Sequence, residues 1–259
     1  MKIKIMLFWF LLFSGMVVSS LHAQMAGNPV GVRGQGEWTI SALGMYMNQN
    51  LGSETAVSRR IFMKSNWGLT PWLDFYLLGG AVQLEMKTGK EGVIDYKDKY
   101  RFAYGVGLNV SFKPAQNSSF WIWGGVHGIR FPSYGYFMED IYIGAAAYVQ
   151  KFDMKYDWRE IGGNLGIVLP YHSFRFYAAG VGWFLQRFDT KREYLENGNS
   201  VSFLGKQKGE YRSGLWTGGV VGLEINLPQR YSFSVEALFF NESNYQIMIG
   251  ICQTGGSAW

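Results

Sequence analysis

Between Tyr100 and Phe112 the chain alternates without a break. Tyr100, Phe102, Tyr104, Val106, Leu108, Val110 and Phe112 are apolar or aromatic, and Arg101, Ala103, Gly105, Gly107, Asn109 and Ser111 between them are small or polar. A period of two over this length predicts an extended strand with one oily and one polar face. The same alternation returns further on. Tyr231, Phe233, Val235, Ala237 and Phe239 oppose Ser232, Ser234 and Glu236, and Ile161, Leu165, Ile167 and Leu169 oppose Glu160, Gly162 and Asn164. Aromatic residues at the ends of an oily face fit a strand that crosses a bilayer, with lipid on one side and a polar lumen on the other.

Ten such strands are predicted, near 37–48, 58–69, 73–86, 99–112, 119–131, 157–169, 174–188, 211–227, 231–240 and 245–252. The fold class expected is all-β: an antiparallel up-and-down transmembrane β-barrel of about ten strands, with eight or twelve as the alternatives. The uncertain stretch is 140–149, read as a loop hairpin or a short helix; if it spans, the count is twelve. Short turns, most with a proline, follow alternate strands at Leu69–Trp72, Lys113–Ser118, Pro170–Ser173 and Leu227–Arg230. Proline is tolerated there because no ladder donor is lost where a strand ends. Longer polar connections, Gln49–Ser58, Thr88–Asp98, Pro132–Tyr156 and Asp189–Glu210, occupy the other end. Short periplasmic turns opposite longer external loops are the asymmetry expected of outer-membrane barrels.

Parity along these strands sends Glu37, Lys64, Glu85, Arg101, Glu160, Arg212, Glu224 and Glu236 into the lumen. A charge facing lipid near the midplane would cost about 2–4 kcal/mol. Glu224 and Glu236 are expected on adjacent strands and the same side, with Arg212 or Lys64 as a basic partner. Two readings of this set stand. One is a network of ion pairs filling a barrel too narrow to hold much else; the other is a polar path or ligand site. The fifth strand is ambiguous, because Trp121 and Trp123 compete with Phe120, Ile122 and Val126 for the outer face.

Composition narrows the picture. Residues 1–23 read as a signal peptide, with Lys2 and Lys4 ahead of an apolar run and a small-residue exit at Ser19–Ala23. Residues 24–36 are then a flexible lead-in, and 37–259 the barrel domain. Removing Lys2 and Lys4 leaves 22 basic against 19 acidic residues, net +3. That balance is too small and dispersed to predict nucleic acid as a partner. One cysteine, Cys252, excludes an internal disulfide. Glycine is abundant at 34 residues and proline scarce at 6, which suits a barrel better than a helical fold.

Catalytic signals are weak. His172 lies in a turn and His127 in the fifth strand, facing the lumen or an interface. Neither has a second ligand at metal spacing, so no metal and no cofactor is expected. No Gly-x-Ser-x-Gly elbow occurs, and Gly31–Gly36 lacks the preceding strand a phosphate loop needs. No catalytic residue is assigned.

The Tyr100–Phe112 strand, the Trp67–Tyr76 turn region, the Ser232–Tyr245 hairpin and the terminal Trp259 together resemble the small outer-membrane β-barrel group of OmpA/OmpX-like type. The resemblance implies outer-membrane lipid and the barrel-assembly machinery as partners. In that group the last strand runs directly into the terminal aromatic, whereas here Gln253–Ala258 intervenes. Ten-stranded outer-membrane barrels in general include the omptin-like proteases, whose acidic pairs and histidine lie at the external rim; His127 and His172 do not match those positions. The expectation is an integral outer-membrane barrel with a structural, surface-interaction or narrow small-solute role. The alternatives are a rim-sited lipid or peptide hydrolase or acyltransferase, and a secreted barrel holding a lipophilic ligand, which would need an apolar interior.

Overall fold

The computed structural model describes residues 36–87, 93–94, 96–143, 146–197, 200–240 and 244–255. The expected signal peptide, all but the last residue of the lead-in, and Trp259 lie outside these residues. Thirteen strands make one sheet: β1 (Trp38–Asn50), β2 (Thr55–Thr70), β3 (Leu73–Lys87), β4 (Val93–Ile94), β5 (Tyr96–Lys97), β6 (Arg101–Phe112), β7 (Trp121–Ile143), β8 (Ala146–Tyr171), β9 (Phe174–Asn197), β10 (Ser200–Arg212), β11 (Trp216–Asn226), β12 (Tyr231–Phe240) and β13 (Tyr245–Gly255). Every pairing is antiparallel, and β13 pairs with β1 from Trp38↔Gly255 to Asn48↔Tyr245, which closes the sheet into a barrel.

β4 and β5 are two-residue strands at the loop end. β10 and β11 lie end to end along β9, facing Gln186–Asn197 and Phe174–Trp183 respectively. The ring therefore has ten positions. Each of the ten expected strands falls on one of them.

The expected loops at Pro132–Tyr156 and Asp189–Glu210 are not loops. β7 and β8 stay paired as far as Ile143↔Ala146, and β9 and β10 as far as Asn197↔Ser200. The tip at 144–145 is outside the described residues, but its flanks are strand and neither helix nor an extra crossing. These segments read as loops because charged residues such as Lys155, Arg192 and Lys208 are mixed with scattered exposed rings such as Tyr134, Tyr136 and Phe203, so no continuous oily face marks them. Above an apolar belt a strand has no reason to carry an oily outer face, so polarity there reports height along the barrel and not loss of pairing. The result is a sheet of β7, β8, β9 and β10 standing well above the rest of the rim.

The outer face of the barrel proper is the oily one. Phe102, Tyr104, Val106, Leu108 and Phe112 are exposed, while Ala103, Gly105, Gly107, Asn109 and Ser111 are buried inside. On β8 the belt runs from Ile161 to Leu169 and closes at Tyr171. The ten steps from Ile161 to Tyr171, at about 3.3 Å rise and about 40° tilt, give a belt roughly 25 Å tall, the height of a transmembrane apolar band. Trp38, Trp67, Trp72, Phe174 and Tyr231 are exposed at its turn end, and Tyr100, Phe102 and Tyr104 toward its loop end.

Trp123 faces inward and is fully buried, whereas Val126 is exposed, which resolves the fifth strand.

Candidate functional site

The interior is where the polar chemistry collects, and glycine makes room for it. Inward aromatic rings repeatedly face a glycine directly across the strand pair: Phe62↔Gly80, Tyr76↔Gly107, Trp183↔Gly162, Tyr177↔Gly222 and Phe240↔Gly218. A Cβ on Gly107 would sit 2.2 Å from Tyr76 Cζ, and one on Gly222 2.1 Å from Tyr177 Cζ. A ten-stranded ring has little interior, so each large ring lies over a position with no side chain.

The turn-side half of the lumen is polar. Thr39, Ser41, Lys64, Asn66, Asn109, Ser111, Ser232 and Ser234 are all buried there. Lys64 Nζ lies 4.1 Å above the Tyr76 ring, and Tyr177 donates its hydroxyl to Glu236 at 3.1 Å. Glu224, on β11, pairs with Arg175 of β9 at 3.3 Å. Glu224 and Glu236 are on adjacent strands and point the same way, two residues apart in register. Beside them lie Trp123, Asn109, His127, Asn164 and Trp183, whose buried side-chain polar atoms make no hydrogen bond to another described residue. Buried polar atoms of this kind are met by ordered water.

The loop-side half is apolar instead. Leu43, Met45, Met47, Phe62, Leu84, Met86, Phe131, Trp158, Leu185 and Met248 form one cluster. One ion pair crosses it. Arg60 of β2 donates to Glu160 of β8 at 2.7 and 2.5 Å, both side chains fully buried. β2 and β8 are four positions apart around the ring of ten, so this pair spans the lumen. Trp158 Nε1 adds a third donor to Glu160 at 2.5 Å, and Ser58 and Met47 engage the rest of the guanidinium.

Two further nodes close the loop-side mouth. Arg187 binds Asp189 at 2.8 and 3.0 Å and reaches Glu54, in the β1–β2 connection, at 3.1 Å. Asp98, buried, accepts from Ser133 Oγ at 2.8 Å, from the Tyr134 amide at 2.7 Å and from Arg101, so the β5–β6 connection is latched to β7. Tyr96 beside it shares a 2.5 Å hydrogen bond with Ser133, and burial pushes its phenol up from the ordinary value.

Of the eight charges expected in the lumen, Lys64, Glu160, Glu224 and Glu236 are buried inside. Glu37 is half-buried at the turn-side mouth in register with Thr39 and Ser41, and Arg101 is half-buried at the rim with Asp98. Two assignments are corrected. Glu85 has outward parity on β3, between the buried Leu84 and Met86, and pairs with Arg59 at 3.4 Å near the loop end of the outer face. Arg212 also points outward, and its partner is Glu210. The physical reason is the break at 213–215. In β10 the inward residue is Tyr211, opposite Arg187; in β11 it is Val220, opposite Ala179. One unpaired stretch therefore reverses parity along what read as a single strand.

The sequence reading missed Arg60, Arg175, Arg187 and Asp98. Arg60 was accessible to it, because it lies four residues before Lys64 on the same strand and so shares its face. Arg187, Asp98 and the partners of each charge depend on which strands oppose one another across the ring.

His127 is buried 5.3 Å from the Trp183 ring. His172 is exposed in the β8–β9 turn with φ 52°, its ring edge-on to that of Tyr171. Among the described residues no three His, Cys, Asp or Glu side chains are grouped to hold a metal ion.

No protein-family model matches the chain, and no curated protein matches it in sequence. Solved structures of similar architecture are bacterial outer-membrane barrels. The outer membrane protease OmpT of Escherichia coli is 10% identical, with 89% of this chain and 96% of that one covered and a TM-score of 0.38. The translocator domain of the autotransporter NalP of Neisseria meningitidis is 9% identical, covering 85% and 89%, with a TM-score of 0.40. The outer membrane protein OprG of Pseudomonas aeruginosa is 13% identical, covering 87% and 98%, with a TM-score of 0.34. At these values no residue role passes from one chain to another.

Proposed function

We propose that this chain is an integral outer-membrane barrel whose lumen is shut by its own side chains and which acts through its loop-side surface rather than as an open pore. The observation that carries the reading is the Arg60–Glu160 pair, which crosses the loop-side half of the lumen with both side chains at 0% exposure. An ion pair in that position would be wetted if water ran through. The apolar belt, bounded by aromatic residues at both ends, supports the membrane setting. The upright β7–β10 sheet supports a surface role, because it extends the wall far beyond what a bilayer requires. The interior is apolar only in its loop-side half, where packed rings and methionines already occupy it.

The test is single-channel recording after insertion into planar bilayers, next to a heat-mobility gel. The expected result is a band that shifts on boiling together with no stable conductance step. A steady, porin-like conductance would overturn the closed-lumen reading. A water-soluble product with no mobility shift would overturn the membrane reading.

A further inference from the structure

The outer wall of the upright sheet carries an ordered set of cations. Cross-strand register puts Arg130, Arg159, Gln186 and Arg212 in one row across β7, β8, β9 and β10. Every one of these side chains has outward parity. The row below it, toward the turn end, contains Ile161 and Phe184, the top of the apolar belt. Four residues farther along each strand, a parallel row holds Tyr134, Lys155, Thr190 and Lys208. Between the two rows lie Asp157 and Glu210. Asp157 accepts from Arg130 at 2.8 Å and from Arg159 at 2.8 Å, and Glu210 pairs with Arg212.

Five cations thus face two carboxylates on one wall, just above its oily part. Aromatic rings hold several of them against that wall: Arg159 lies 4.6 Å from the Phe188 centroid and Lys155 5.0 Å from Tyr134. The arginines keep donors to spare, with side chains 49%, 41% and 63% exposed in the order Arg130, Arg159, Arg212. The opposite wall differs. On β2 and β3 two cations, Arg59 and Lys87, share one carboxylate, Glu85, at 3.4 and 4.0 Å, and the outward residues near the loop ends of β12 and β13 are Phe239, Tyr245 and Ile247, which carry no cation.

We infer that this wall is a docking surface for a net-anionic, phosphate-bearing lipid of the outer leaflet, with the phosphate among Arg130, Arg159, Lys155, Lys208 and Arg212 and the acyl chains on Ile161, Leu165 and the belt below. The inference rests on the membrane setting proposed above. Guanidinium and ammonium groups bind phosphate by charge-assisted hydrogen bonds, and basic residues at a membrane surface attract anionic lipid. A phosphate alone would satisfy the cations. Only a lipid satisfies both the cations and the contiguous apolar surface under them.

The full-length barrel in zwitterionic detergent is mixed with equal amounts of phosphatidic acid and phosphatidylcholine of identical chains, and retained lipid is counted by native mass spectrometry. The expected result is a preference of about tenfold for phosphatidic acid. The preference should be lost in Lys155→Gln/Lys208→Gln/Arg212→Gln and kept in Arg59→Gln on the other wall. Equal retention of the two lipids by the unaltered protein, or a preference that survives the triple substitution, would overturn the inference. Excess inorganic phosphate should leave the lipid in place; complete displacement would assign the site to free phosphate instead. The heat-mobility shift is read on every sample, so a folded barrel without lipid preference defeats this inference alone, and loss of the shift in the unaltered protein defeats the membrane reading.

Discussion

Replacing Arg60 with methionine tests whether the lumen is dry. In the native barrel Glu160 accepts two hydrogen bonds from Arg60 and one from Trp158, with no exposed surface on either charged side chain. Arg60→Met leaves a buried carboxylate with the indole as its remaining donor among these. Breaking a buried pair by removing one partner costs about 3–5 kcal/mol, whereas replacing both partners with apolar residues of similar size is often neutral or stabilising. The surroundings favour the second outcome, because Met47, Phe62, Phe131 and Leu185 already line this level. Arg60→Met and Glu160→Leu should therefore each destabilise by about 3–5 kcal/mol, and the double variant should recover most of that loss. The assay is reversible urea unfolding in lipid vesicles, followed by tryptophan fluorescence and checked by heat mobility. A loss below about 1 kcal/mol in both single variants would place the pair in the range of solvated surface ion pairs. The lumen would then be wet, and the closed-barrel reading would fail with it.

Gly107→Val should cost about 1–3 kcal/mol through overpacking against Tyr76, and Tyr76→Leu should relieve part of it in the same unfolding assay. Leu165, 67% exposed in the middle of the belt, should cost about 2–4 kcal/mol when changed to Arg in vesicles, while Tyr136→Arg on the upright sheet should be close to neutral; equal effects would mean that the belt does not meet lipid. Asp98→Asn should weaken the latch onto Ser133 and the Tyr134 amide, making the Tyr96–Arg101 stretch the first site cut by an added protease while the membrane-embedded remainder keeps its heat-mobility shift. A cleavage pattern unchanged by the substitution would show that the latch does not hold the connection.

The period-two alternation was enough to determine the barrel class, the ten staves, the turn positions and which face of the Tyr100–Phe112 strand looks outward. Alternation is a property of neighbouring residues, and the pleat converts it directly into two faces. It failed where neighbouring residues do not carry the answer. The strand continuations at 132–143 and 189–197 looked like loops because above the belt nothing demands an oily face. Arg212 was turned inward because a three-residue break at 213–215 reverses parity without leaving a mark in the pattern. The partners of the charges were beyond local reading altogether. Arg60 and Glu160 are 100 residues apart, and only the closure of β13 on β1, with the register that follows from it, sets them face to face across the lumen. Arg130, Arg159 and Arg212 line up on one wall through the registers of three consecutive pairings, β7–β8, β8–β9 and β9–β10, since a row across four strands exists only once each of these is set.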